Sequence, residues 1–332
     1  MKNFVIAMLA STTVLILSCV ISLITGPVPI SFHQILNSVQ DAFRGSVSTN
    51  LQTSVLFSIR MPRIFSACIV GWCLAVSGLC FQSLLRNALA EPYTLGLASG
   101  AAIGAVLGSL FKLRFAMSSA VCAFAGASLI TAMILFPGRN RKYLETGSII
   151  LMGLILSALG NAILSLILSI ISPNQLQTFF FWFLGSFSMT KWSTILTSLP
   201  IVVILSVVVF LLSWNMNALS VNEDMAEQVG IHVTRTRTIL YLAASLLTAI
   251  AVSLAGTIGF IGLIVPHLGR LMIGADNRLL IPIVAVLGAT FCVLSDLVAR
   301  SVIAPAELPV GVITAFVGAP VFLYFMMRKA RS

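Results

Sequence analysis

Long apolar runs recur along all 332 residues of this chain, and no polar stretch between them is long enough to make a soluble domain of ordinary size. That feature constrains the fold more than any motif does. A segment placed in lipid has no water to satisfy its peptide groups, and an α-helix satisfies them within the segment itself. Hydrophobic residues make up 59% of the sequence and charged residues 8%, against roughly a quarter charged in a soluble domain. The reading is an all-α polytopic membrane protein with a single transmembrane domain over residues 1–332.

A span needs about 20 apolar residues, and fewer where neighbouring helices shield it. Ten segments qualify: 4–24, 62–84, 93–111, 115–136, 147–171, 193–213, 237–255, 257–273, 279–299 and 308–327. The first carries a lysine ahead of its apolar stretch and reads as an uncleaved span, because so many spans follow it. With the N-terminus inside, only Arg44, Arg60, Arg63, Lys112, Arg114, Lys191 and Arg300 fall outside. The other basic residues fall inside, a bias that places both termini in the cytoplasm. The net charge of +10 is thus a matter of topology, since the basic residues are scattered and form no patch for nucleic acid. The six cysteines all lie in apolar segments, without the close pairs that hold zinc or shuttle disulfides, so no metal site is expected.

Chemical motifs are mostly absent. No phosphate-binding loop occurs; "GSFSMTK" ends in the right lysine but has the wrong glycine spacing. His33, His232 and His267 are far apart, which argues against a shared metal. Asp296 is the one intramembrane acid that could mark an ion-coupled carrier, and Arg300 one turn away offers it a local ion pair. A secondary carrier needs more such acids, and an intramembrane enzyme needs convergent catalytic groups that cannot be assembled here. Gly96, Gly100, Gly104 and Gly108, four residues apart, make a smooth helix face for close packing. A short echo relates "AVSGLCFQSLLRN" at 75–87 to "AVSLAGTIGFIGLIVPH" at 251–267. The aromatic run "TFFFWF" at 178–183 reads as an interfacial belt.

Two polar features remain. In "IGFIGLIVPHLGR", Pro266 removes a backbone donor and frees a carbonyl one turn earlier, so a kink or irregular turn is expected, and His267 is a candidate to satisfy that carbonyl or to contact the inner loop. In the longest inner loop, 215–237, the acids Glu223, Asp224 and Glu227 precede Gly230 and two arginines. That order suits a short helix with an acidic start and a glycine stop.

"AEQVGIHV", then "GFIGLIVPHLGRL", "SDLVAR" and "ELPVGVITAFVGAPVFLYFMMRK", together with "RMPR" at 60–63 and "SGLCFQSLLRNALAEPYTLGLASG" at 77–100, form a diagnostic string. It resembles the permease subunits of bacterial ABC importers for iron-siderophores, haem and cobalamin, the FecCD/BtuC-like family. The likeness runs from about residue 55 to the end. It implies a type II ABC importer permease in the bacterial cytoplasmic membrane, paired with a second permease subunit as a homodimer or with a close homologue. It also implies two ATPase subunits that bind ATP and Mg below, and a periplasmic or lipid-anchored binding protein above; this chain itself carries no cofactor.

By the same resemblance, Glu223, Ala226, Val229, Gly230, Ile231 and Val233 form the coupling element for the ATPase, and Asn87 and Leu89 border a cytoplasmic gate. Pro266, His267 and Arg270 stabilise the inner face, while Arg60, Arg63 and Arg300 meet acids on the binding protein. The family's usual Asn-Pro-Leu-Ala appears here as Asn87-Ala88-Leu89-Ala90, and the first 50 residues match nothing diagnostic. Because no phosphate loop is present, the purified chain should hydrolyse no ATP above a buffer blank, as a phosphate-release assay in detergent would measure.

Overall fold

The computed structural model describes residues 2–26, 31–43, 51–110, 118–135, 146–304 and 306–329. Arg44, Lys112, Arg114, Arg139, Arg141, Lys142 and Arg331, which entered the topology argument, lie outside these residues. The elements of the described residues are all helical, beginning with α1 (Lys2–Ile24), α2 (Phe32–Phe43) and α3 (Leu51–Val55). A π-helical turn, Leu56–Arg60, leads into α4 (Met61–Leu84), and a 3₁₀ turn, Pro92–Leu95, leads into α5 (Leu97–Leu110). There follow α6 (Ser118–Leu135), α7 (Thr146–Ile170), α8 (Pro173–Phe183), α9 (Trp192–Leu211), α10 (Ser213–Val221) and α11 (Glu223–Gln228). The last four are α12 (Val233–Ala255), α13 (Ile261–Ile273), α14 (Asn277–Ser301) and α15 (Val310–Lys329).

Among the described residues each expected span overlaps a helix. Six of these helices are long and apolar enough to cross a membrane unaided, and the apolar parts of α5, α6, α13 and α15 are shorter. Burial separates the long helices into two kinds. The most apolar stretch of the α3–α4 helix is 83% buried inside the protein, whereas those of α1, α7 and α9 are only 17–22% buried. The α3–α4 helix is therefore the central post, and the other three present apolar side chains such as Ile6, Leu154 and Ile204 to their surroundings. In a lipid bilayer such exposure carries no hydrophobic penalty.

Close packing around the post depends on glycine. A Cβ on Gly71 would lie 2.1 Å from the carbonyl oxygen of Gly288, so α4 and α14 touch backbone to backbone. A Cβ on Gly78 would lie 2.2 Å from the carbonyl oxygen of Gly262 at the start of α13. The echoed segments 75–87 and 251–267 thus pack against each other. On α5, Gly104 meets the Cys122 carbonyl of α6 in the same way, so the glycine stripe serves close packing. Gly96 stands apart from it, since with φ 77° it makes the left-handed turn that starts α5.

One irregular segment runs through the bundle. Residues 256–260 are non-helical, with left-handed φ values at Gly256 and Phe260, so the span expected from 257 starts as a helix only at Ile261. Side chains from the 91–95 segment hold it: the Tyr93 hydroxyl accepts from the Ile258 N–H at 2.8 Å, and Glu91 Oε1 accepts from the Phe260 N–H at 2.7 Å. Replacing Gly71 with Val should push α4 from α14 and cost about 1–3 kcal/mol, the range for overpacking a core. Gly147→Ala, at a site with nothing within 4 Å of the added methyl, should be neutral. Thermal unfolding of both variants in detergent tests the contrast.

Candidate functional site

The 215–237 loop folds as expected from its acids and glycine. Asn222 caps α11, its side chain accepting from the Asp224 N–H at 2.8 Å, and the acidic first turn sits at the positive end of the helix. Gly230 closes the helix at φ 82°, and the Ile231 N–H donates back to the Ala226 carbonyl at 3.0 Å. This is the helix end at which a left-handed residue, usually glycine, is required. Of the residues assigned to coupling, Ala226, Ile231 and Val233 are buried anchors. Val229 is exposed, together with Met225 four residues earlier and Val221 beside the cap. Met225 and Val229, one turn apart, form an exposed apolar ridge flanked by the exposed acids Asp224 and Glu227, with Val221 just before the extended cap residue Asn222. Met225 and Val221 escaped the sequence reading because neither shows a periodic pattern in so short a helix.

Glu223 points the other way. Its carboxylate lies 3.0 Å from Arg237 Nη2 and 3.2 Å from Arg86 Nη2. The α10–α11 unit is also fastened at Asn217, which donates to Asp276 at 2.7 Å and accepts from the Asn277 N–H at 2.9 Å. Hydrogen bonding from Arg278 holds the Asp276 carboxyl below its ordinary range.

At the same end of the bundle a cavity of about 810 Å³ opens between α4, α13 and α15. Its lining unites Asn87 and Leu89 with His267 and Arg270, which the sequence had assigned to separate roles. Pro266 is buried behind them, and α13 continues through it as a helix. The carbonyl it deprives of a partner is that of Gly262, and the side chain that fills the vacancy is Gln82 of α4, whose Nε2 donates at 2.9 Å. Gln82 Oε1 in turn accepts from Arg270 Nη1 at 2.5 Å. His267 is not the residue bonded to that carbonyl; its ring packs on Phe325 with centroids 4.6 Å apart. A lone glutamine in an apolar span is the signal that could have led to this residue.

The opposite end gathers the three outer arginines, and all are buried, with 3%, 6% and 5% exposure for Arg60, Arg63 and Arg300. Arg60 donates to the carbonyls of Leu23 and Ile24, and Arg300 to the Ser22 carbonyl and, at 2.6 Å, its hydroxyl. Both therefore cap the C-terminal turn of α1, whose last carbonyls have no helical donor. Arg63 forms a forked pair with Asp296 at 2.8–3.0 Å and reaches Glu307 at 2.9 Å. Asp296 thus pairs chiefly across to α4; the local contact with Arg300, at 3.8 Å, is the longer one. Within this network of charges Glu307 is the exposed member.

The FecCD transport family model matches residues 14–328. The chain belongs to that family. Among its relatives in the family, the cobalamin import permease of Halobacterium salinarum is 37% identical over 84% of this chain and 75% of that one. The molybdate import permease of Haemophilus influenzae is 34% identical over 97% of this chain and 95% of that one. A solved structure described as an inward-facing conformation of a metal-chelate type ABC transporter matches with TM-score 0.84 and 31% identity, covering 97% of this chain and 98% of the other. The FecCD fold, an all-helical ABC importer permease, is therefore the fold of this chain, and its apolar helices make it a multi-pass membrane protein.

Within this FecCD permease, the Arg63 pair is a structural brace in a low-dielectric setting. Removing one partner of a buried pair leaves an uncompensated charge. Arg63→Gln should therefore destabilise by about 3–5 kcal/mol, while Arg63→Met combined with Asp296→Leu should recover most of the loss. Glu307→Gln, at the half-exposed partner, should cost no more than about 1 kcal/mol. Thermal denaturation of the purified variants in one detergent gives the ranking.

Proposed function

We propose that this chain is the membrane-spanning subunit of an ATP-driven importer that moves a metal chelate, a ferric siderophore, haem or cobalamin, from a binding protein to the cytoplasm. The observation that carries this reading is the α11 end: an exposed apolar ridge, rigidly mounted, stands at the same end as an open cavity lined by α4, α13 and α15. A ridge of Met225 and Val229, with Val221 exposed just before it, suits a groove on a partner that supplies the ATP chemistry this chain lacks. The α11 end is then cytoplasmic, both termini lie on that side, and two ATPase subunits bind a pair of permease subunits there.

The Arg63 end receives the periplasmic or lipid-anchored binding protein, with Arg60, Arg63 and Arg300 lying beneath that face rather than on it. The relatives differ in cargo at similar identity, cobalamin at 37% and molybdate at 34%, so the choice among cargoes belongs mainly to the binding protein.

The test is co-purification with a cognate ATPase and uptake into vesicles. The wild-type chain should retain the ATPase and transport only with ATP present. Met225→Glu should weaken ATPase retention about tenfold or more, the scale of an interface hot spot near 2 kcal/mol, without altering monodispersity. Uptake driven by a proton or sodium gradient without ATP would overturn the reading.

A further inference from the structure

Glu223 belongs to the short helix that carries the partner-facing ridge, yet its carboxylate is turned into the protein. It joins three elements. Its contacts to Arg86 hold the end of α4, and those to Arg237, at 3.0 and 3.1 Å, hold the start of α12. Arg237 Nη2 also donates to the carbonyl of Leu84, the last residue of α4, at 3.3 Å. Arg86 Nε donates to the Leu219 carbonyl of α10 at 2.9 Å, so one guanidinium spans the α10–α11 unit.

The backbone at Arg86 gives independent support. Helix α4 ends with the Asn87 N–H donating to the Gln82 carbonyl at 3.2 Å, which is the hydrogen bond that also ends α11. In α11 the left-handed position is Gly230, where a Cβ would meet nothing within 4 Å. In α4 the same position is Arg86, at φ 45°. An L side chain is disfavoured there, and such strain persists where the side chain is needed elsewhere. The side chain in question is the one that reaches Glu223. The residues that follow, 87–89, line the cavity, and Gln82 lies one turn back in the same lining.

From this geometry we infer that Glu223 and Arg86 are positioning residues that tie the α11 ridge to the 87–89 lining of the cavity, so that a displacement of α11 is passed to the cavity wall. The inference rests on the importer reading. Both side chains of the Glu223–Arg86 pair are more than a third exposed, so that pair contributes little to stability and Arg86 can be exchanged without unfolding the chain, whereas Arg237, the second partner of Glu223, is only 9% exposed.

The experiment places Leu89→Cys in the full chain, reconstituted in nanodiscs with the cognate ATPase, and follows its labelling by a membrane-impermeant maleimide with and without ATP plus vanadate. The unsubstituted chain, whose native cysteines lie within apolar helices, gives the background. Glu223→Gln and Arg86→Gly should each shrink the nucleotide-dependent change in labelling rate about fivefold or more, and Arg86→Gly, which leaves the Glu223–Arg237 pair in place, should do so at an unchanged melting temperature. The Gly substitution relieves the backbone strain, so a loss of response there reports the missing guanidinium. The double variant should be no worse than either single one, and Glu223→Asp should keep part of the response. A full response in the single variants, additive losses, or loss of ATPase retention in Glu223→Gln would overturn the inference while leaving the importer reading intact. A wild-type chain that retains no ATPase would overturn both.

Discussion

Inside an apolar bundle a backbone carbonyl or amide without a helical partner has no water to turn to, and a side chain must supply what is missing. Several of the buried and half-buried polar residues in this permease answer that demand. Arg60 and Arg300 reach the terminal carbonyls of α1, Gln82 reaches the carbonyl that Pro266 leaves open, and Glu91 and Tyr93 reach amides of the irregular 256–260 segment. Trp192 does the same for the Phe57 carbonyl within the π-helical turn. Each of these contacts joins two elements distant in sequence, so the satisfaction of single peptide groups also fixes how helices are assembled.

Glycine completes the assembly from the steric side. Where α4 meets α14 and α13, backbones approach so closely that even a methyl group would collide with a carbonyl oxygen. Association in lipid has little hydrophobic drive between helices and relies on such contact and on dispersion. The same closeness brings Gln82 within reach of Gly262, so the packing and the hydrogen bond depend on each other.

The two ends of the bundle hold charge in different settings. At the Arg63 end the ion pair to Asp296 is almost fully buried, and separating it would strand charges in a low dielectric. At the α11 end the Glu223 pair to Arg86 is more than a third exposed and can be exchanged for water at small cost, while the second partner, Arg237, is nearly buried. Rearrangement is thus energetically easier at the end that bears the cavity and the apolar ridge.

The sequence by itself determined the helical membrane class, the ten apolar segments, the short acidic helix at Glu223 and the left-handed turn at Gly230. These follow from composition, run length and local backbone preference, all of which act over a few consecutive residues. It also announced that Pro266 would free a carbonyl, but not who would answer it. That choice, like the capping of α1 by Arg60 and Arg300, the pairing of Asp296 with Arg63 rather than chiefly with its neighbour Arg300, and the inward turn of Glu223, was made by the tertiary structure. The physical reason is range. A hydrogen bond or ion pair in an apolar interior forms only at contact distance, and which side chains come into contact across 180 or 233 residues is set by how the helices pack.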